Sequence, residues 1–221
     1  MLPLGVNSPD YPDPWYLKCQ RRALLLVPTL TQIAWARDFR DAAFAWTRTE
    51  STVTAAIRGN GTSTSLQAGA TAGSIASINT ASPIVENIRT DKWALFARVA
   101  KIATDANADL RIIDLTDIAT GSAQLGMDGP TSAANYTLQS GAGLVNTGIA
   151  QSAVGVYDTI AMYNDGTNLK ADINFAAAGA GIAVATVPAT FGLIRSMART
   201  TAPANNGYRI KNLILLTVPG T

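Results

Sequence analysis

Residues 91–117 read DKWALFARVAKIATDANADLRIIDLTD, and this stretch decides the fold class. Trp93, Leu95, Ala97 and Val99 fall on one face of an extended chain, Ala94, Phe96, Ala100 and Ile102 on the other. A strand that is apolar on both faces belongs in the middle of a layered β structure, where neither face meets much water. Thr104 to Asp109 (TDANAD) has turn composition, and Leu110, Ile112 and Ile113 resume the β-type run, so the stretch reads as two central strands joined by a turn.

Working outward, Val53, Ala55 and Ile57 alternate with Thr52, Thr54 and Ala56, and Asn60-Gly61 then marks a tight turn. Strands are expected around Gly73 to Ile78 and Ile84 to Ile88 on the way to the central stretch. Beyond it, residues 118–134 are rich in Gly, Ser and Ala and read as a loop region. A strand is expected from Val154 to Tyr163, then a hairpin turn at Asn164-Asp165-Gly166-Thr167. Leu169, Ala171, Ile173 and Phe175 follow on one face and Lys170, Asp172 and Asn174 on the other. Gly179-Ala180-Gly181 reads as a break, and Tyr208 to Val218 as a closing strand. Ten to twelve strands at this spacing, with no long amphipathic helix, describe an all-β antiparallel sandwich or jelly roll.

The N-terminal part differs. Pro3, Pro9, Pro12 and Pro14 are interleaved with Tyr11, Trp15 and Tyr16. Proline at that density disfavours helix interior and central strand alike, which predicts an extended arm over residues 1–22 ahead of a single sandwich domain, 23–221. Its aromatic residues need a burial site, either on the same domain or on a neighbouring subunit. Ala23 to Val27 reads as a short buried run ended by Pro28. Gln32 to Trp35 fits either a helical turn or an irregular crossing.

Composition narrows the function. The 221 residues contain no histidine and one cysteine, Cys19, so neither an intrachain disulfide nor a His-dependent catalytic triad can form. A net charge of +2 is too small for a nucleic-acid footprint. No apolar run reaches the length of a membrane span and the N-terminus lacks the pattern of a secretory signal. Only 14% of residues are charged, and twelve of the seventeen basic residues are arginine, which suits interfacial pairing. A glycoside hydrolase needs two positioned carboxylates, yet the two glutamates, Glu50 and Glu86, each lack an acidic residue two positions away. Asp105, Asn107 and Asp109 have the alternating oxygen spacing that opens a calcium loop. Leu110 stands where that loop needs glycine and Thr116 where it needs glutamate, so a solvated turn is the preferred reading. No cofactor is expected, because the glycine-rich segments 121–129 and 141–143 lack a phosphate-binding Gly-Lys-Ser/Thr.

The order WALFARVAKI, DLRIIDLTD, YDTIAMYNDGTNLKADINF and GYRIKNLILLTVP resembles the concanavalin A-like sandwiches (laminin G, pentraxin and glucanase types) over residues 50–218. In that family the final strand pairs back near the N-terminus. The low charge and the Ala/Thr/Gly-rich texture also resemble structural virion proteins of tailed bacteriophages. The resemblance implies a non-enzymatic virion protein, made in the host cytoplasm, that decorates or cements a capsid by packing on the major capsid protein or other virion proteins. Tyr11, Trp15 and Tyr16 would be the anchors and Arg21, Arg22, Arg37 and Arg40 the rim contacts. A homo-oligomer is expected, and a trimer would suit an icosahedral shell. The alternative is a lectin-like carbohydrate-binding module, carried on a phage tail or fibre or free, with a glycan as partner. Neither reading involves nucleic acid or membrane.

Overall fold

The computed structural model describes residues 14–27, 32–38, 46–51, 56–59, 63–68, 75–80, 92–103, 108–117, 121–128, 134–140, 143–184, 193–200 and 207–217. Helix α1 (Pro14–Leu26) comes first. The strands that follow are β1 (Gln32–Asp38), β2 (Trp46–Ser51), β3 (Ala56–Gly59), β4 (Thr64–Gln67), β5 (Ile75–Thr80), β6 (Trp93–Ala103), β7 (Ala108–Asp117) and β8 (Gly121–Asp128). Then come β9 (Asn135–Ser140), β10 (Gly143–Ala150), β11 (Tyr157–Asn164), β12 (Asn168–Ile173), β13 (Ala176–Ala183), β14 (Leu193–Thr200) and β15 (Gly207–Thr217). They form two antiparallel sheets. The first runs β13-β12-β11-β6-β15-β4-β3, with β1 also pairing β15. The second runs β10-β9-β8-β7-β14-β5-β2. This is the expected β-sandwich, and the closing strand pairs back onto β1 as the resemblance implied.

The central stretch keeps its importance but is not a hairpin. β6 lies in the middle of the first sheet and β7 in the middle of the second. Their apolar faces meet across the core instead of their edges pairing. Trp93, Leu95, Ala97 and Val99 pack with Leu110, Ile112, Ile113 and Leu115 between the sheets. Two consecutive isoleucines can both point inward because β7 shifts register between Arg111 and Ile113. That bulge resets the side-chain alternation. The other face of β6 is buried as well, but under the helix.

The expected extended arm is corrected from Pro14 onward, where the chain is helical; residues 1–13 lie outside the described residues. The proline-dense stretch ends at Pro14, and Pro14 occupies the first helical position, where the missing N–H costs nothing. Past it no proline interrupts WYLKCQRRALLL, and Trp15, Cys19 and Ala23 recur at helical spacing. With Tyr16 and Val27 they pack on Ala94, Phe96, Ala161, Tyr163, Ile214 and Leu216 of the first sheet's outer face. Burying each large aromatic ring contributes roughly 2–3 kcal/mol. The run from Ala23 to Val27 is therefore the end of this helix, with Ala23 and Val27 buried but Leu24 and Leu25 exposed.

Two polar contacts pin the helix. Trp15 Nε1 donates to Thr159 Oγ1 at 2.9 Å. Arg22 donates to Asp172 Oδ2 through Nε at 2.9 Å and Nη2 at 2.6 Å. Burial raises the Asp172 pKa, and the Arg22 bonds and charge only partly offset it. Thr159→Val is expected to cost about 1 kcal/mol by removing the indole's hydrogen bond while keeping the shape, read by urea unfolding.

Three further expectations change. Gln32 to Trp35 lies in strand β1, residues 121–128 form strand β8 rather than loop, and β13 runs through Gly179 and Gly181. The hairpin at Asn164 to Thr167 is present, with Gly166 at φ 97° and Asp165 Oδ1 accepting the Thr167 and Asn168 amides. A second tight turn follows at Asn174-Phe175, both at positive φ (52° and 65°) between the paired Ile173 and Ala176. That is the backbone of a type I′ turn, and it takes Phe175 out of the strand.

Candidate functional site

The first sheet's outer face is partly roofed by α1. On the second sheet, the alternation that sends Ala123, Leu125, Tyr136 and Leu138 into the core turns Gln124, Gly126, Thr137 and Gln139 to the opposite side. Register sets them in rows. Asp114, Gln124 and Gln139 lie across β7, β8 and β9, and Arg111, Gly126 and Thr137 form the next row. With Asp109 and Leu110, and without Asp114, these side chains line a shallow depression of about 210 Å³. Most of that space is open to solvent, and the enclosed part, about 10 Å³, holds little more than one water molecule, so this is a surface feature and not a pocket.

Arg111 organises this face. Its Nε lies 3.1 Å from Asp109 Oδ1 and its Nη2 3.2 Å from Asp109 Oδ2. Nη1 lies 3.9 Å from Asp114 Oδ2. The β7 bulge brings Asp109, Arg111 and Asp114 to one side despite their uneven spacing. The arginine backbone is held from the core side, where Tyr208 OH donates to Arg111 O at 3.1 Å. Gly126 forms the floor because nothing larger fits. A Cβ there would stand 1.9 Å from the carbonyl oxygen of Leu110.

A second polar centre lies between the sheets at one end. Asp158, 2% exposed, accepts from Tyr136 OH (2.7 Å), the Ser152 amide (3.0 Å), Ser152 Oγ (2.5 Å) and Asn174 Nδ2 (2.7 Å). Burial works to raise its pKa, but the Ser152, Asn174 and Tyr136 bonds outweigh burial and hold it below the usual carboxylate value. Burial, then the Asp158 charge, pushes the Tyr136 hydroxyl well up. Asn174 Oδ1 in turn accepts the Thr159 amide at 2.9 Å. The network ties β9 of one sheet to β11 of the other and fixes the 151–156 connection and the Asn174-Phe175 turn. Its carboxylate has no room for a substrate, so it is a structural latch.

Of the residues expected to make an interface, four have side chains among the described residues. Trp15 and Tyr16 are buried on their own domain, with ring centroids 5.1 Å apart. Arg22 is committed to Asp172, and Arg21 is exposed. Arg37 lies in β1 at a position paired with Leu213, and its side chain, like Tyr11 and Arg40, lies outside the described residues. Of the calcium candidates, Asp105 and Asn107 also lie outside them, while Asp109 is engaged by Arg111. Among the described residues, no group of three or more acidic, histidine or cysteine side chains is placed to hold a metal ion. No helix there is long and apolar enough to cross a membrane.

No known protein family matches the sequence, and no curated protein does. Solved structures do match. A sialidase aligns over 83% of this chain with a TM-score of 0.62 at 14% identity, this chain spanning 18% of its length. A Mycobacterium fortuitum glycosyl hydrolase family protein aligns over 84% of this chain and 100% of its own (TM-score 0.57, 11% identity). The Crh5 transglycosylase aligns over 84% of each chain (TM-score 0.59, 11% identity). What they share with this chain is a two-sheet antiparallel β-sandwich. At such identities the likeness is one of fold alone.

The sequence reading did not name Arg111, Gln124, Gly126, Thr137 or Gln139. The signal was there in the alternation of Ala123 and Leu125 with Gln124 and Gly126, but glycine and serine around it favoured a loop.

Proposed function

We propose that this chain is a non-catalytic carbohydrate-binding β-sandwich whose second sheet takes a hydroxyl-rich polysaccharide on its outer side. The observation that carries this is a pair of adjacent rows of polar side chains, Gln124 with Gln139 and Thr137 beside Gly126 and Arg111, of which Gln139 and Arg111 are half-buried and Gln124 and Thr137 lie deeper. Paired amides and a fixed guanidinium offer donors and acceptors at defined places, which is what sugar hydroxyls require. The sugar-processing titles of the fold neighbours agree with that ligand class. A binding role rather than turnover is supported by the local carboxylates. Asp109 and Asp114 both face Arg111, and Asp114 is fully buried, which leaves no free acid and base pair among the described residues of this surface.

The test is affinity electrophoresis of the chain in gels containing neutral polysaccharides. Retardation by at least one polymer is expected, and Gln124→Ala with Gln139→Ala should weaken it by roughly tenfold, about the worth of two lost hydrogen bonds. Unchanged retardation in the double variant would move the ligand elsewhere, and released sugar would make the chain an enzyme.

A second reading, decoration of a tailed-phage virion, draws support from exposed apolar side chains. Leu17, Leu24 and Leu25 lie on the outer side of α1, Leu25 at 74% exposure, beside the exposed Lys18 and Arg21. Val154 and Val156 project from a turn held by Gly155 N to Lys101 O. With Trp15 and Tyr16 already used in the fold, the anchor shifts from the aromatic pair to this leucine stripe. Deleting residues 1–20 would remove most of a structural helix, so the informative variant is Leu24→Asp with Leu25→Asp. This reading expects the chain in purified particles at a copy number near that of the shell protein, and expects that variant to be missing from them.

A further inference from the structure

We propose a second ligand site, for an acidic polysaccharide, on the part of the first sheet's outer face that α1 leaves open. The helix covers the rows through Ala94 and Phe96, and Trp15 reaches only to Thr159, which pairs with Arg98 in the next row. Beyond that, three strands present Arg98, Tyr157 and Arg209. Each points away from the core because its chain neighbours point in. Ala97 and Val99 flank Arg98, Tyr208 and Ile210 flank Arg209, and the inward Asp158 follows Tyr157.

The arrangement is built rather than scattered. The Arg98 guanidinium carbon stands 5.6 Å from the centroid of the Tyr157 ring, within cation–π range, which holds the charge beside the ring. Tyr157 and Arg209 both pair with Ala100, from opposite sides, so a buried alanine lies between them as the floor of a shallow trough. Arg98 and Arg209 are diagonal neighbours across β6 and β15, roughly 7–8 Å apart at the backbone. Among the described residues no carboxylate pairs with either arginine. Asp38 of β1 pairs with Asn212 along the backbone, and its side chain lies outside the described residues. Two guanidinium groups with no carboxylate partner among the described residues, beside a small floor, match carboxylates carried at intervals along a sugar polymer.

The experiment compares polygalacturonate with a neutral galactan, by affinity electrophoresis and calorimetry. Binding to the uronate polymer should fall with added salt, and Arg98→Ala with Arg209→Ala should weaken it by roughly tenfold or more. Arg209 is exposed and Arg98 half-buried against Tyr157, so thermal unfolding of that variant should stay close to the parent's. Lys18→Ala with Arg21→Ala, and Gln124→Ala with Gln139→Ala, should leave uronate binding intact. The last control separates this site from the one on the second sheet, since either can fail alone. No binding to polygalacturonate, binding indifferent to Arg98 and Arg209, or loss in the Lys18/Arg21 variant would overturn the proposal.

Discussion

Asp158→Ala is expected to lower the unfolding free energy by about 4 kcal/mol, since it removes a buried acceptor of four hydrogen bonds and strands their donors between the sheets. At this chain length that corresponds to a melting temperature lower by roughly 8–16 °C. The acceptor serves Tyr136 OH, Ser152 twice and Asn174 Nδ2, so the loss spreads to β9, the 151–156 connection and the Asn174-Phe175 turn. The acid limb of the stability profile carries the same information. The folded pKa of Asp158 lies below its unfolded value. Its contribution is therefore fully present above roughly pH 4 and disappears as pH falls through the folded value. Asp165, held low against its partial burial by Lys170 and the turn amides, adds a slope of the same sign. Asp172, raised by burial, adds one of opposite sign. Both remain in the variant, so the difference between parent and Asp158→Ala isolates the latch. It should shrink steadily as pH falls below about 4. A constant difference would mean that Asp158 matters through packing and not through its charge.

Gly126→Ala should cost about 3 kcal/mol, a large effect for one methyl group. The added carbon would meet Leu110 O at 1.9 Å, Leu110 C at 2.9 Å and Arg111 Cα at 3.1 Å. All three are backbone atoms of the bulged strand, and no rotamer change relieves them. β7 and β8 must separate at the row that carries Arg111 and Thr137, so glycan binding should fall together with stability. Gly179→Ala is the control, because a Cβ there meets nothing within 4 Å. Its effect should stay within about 0.5 kcal/mol. Thermal unfolding of both variants, with neutral-polysaccharide retardation measured well below the melting point, separates the two consequences.

The sandwich was legible because its central strands are long and β-rich. β6 announces two buried faces through Trp93 to Val99, and β15 does so through Tyr208 to Leu216. What the pattern could not convey is which strands pair. β6 and β7 follow one another with turn chemistry between, which is equally compatible with a hairpin and with a crossing between sheets. Only the facing of their apolar sides across the core separates the two. The helix was missed because four prolines and three aromatics dominate the reading of the first sixteen residues. The pattern that matters, Trp15, Cys19 and Ala23, starts as the prolines stop. β8, β10 and β13 were hidden by glycine, serine and alanine, which carry little β propensity and are in strands here through pairing. The site fell with β8. Its chemistry rests on ordinary glutamines and a threonine, which mean nothing until register sets them side by side, and on a glycine whose missing side chain is the feature. Only Asp109 had been singled out, as a calcium donor, and its partner is Arg111.

The most direct test of the glycan reading is residue-resolved. Amide NMR shifts of the labelled chain would be followed while titrating an oligosaccharide of whichever neutral polysaccharide retards it. Perturbations are expected to concentrate at Arg111, Gln124, Gly126, Thr137 and Gln139, with the α1 face unmoved. Shifts confined to α1 or the 151–156 turn, or none at saturating ligand, would contradict that reading.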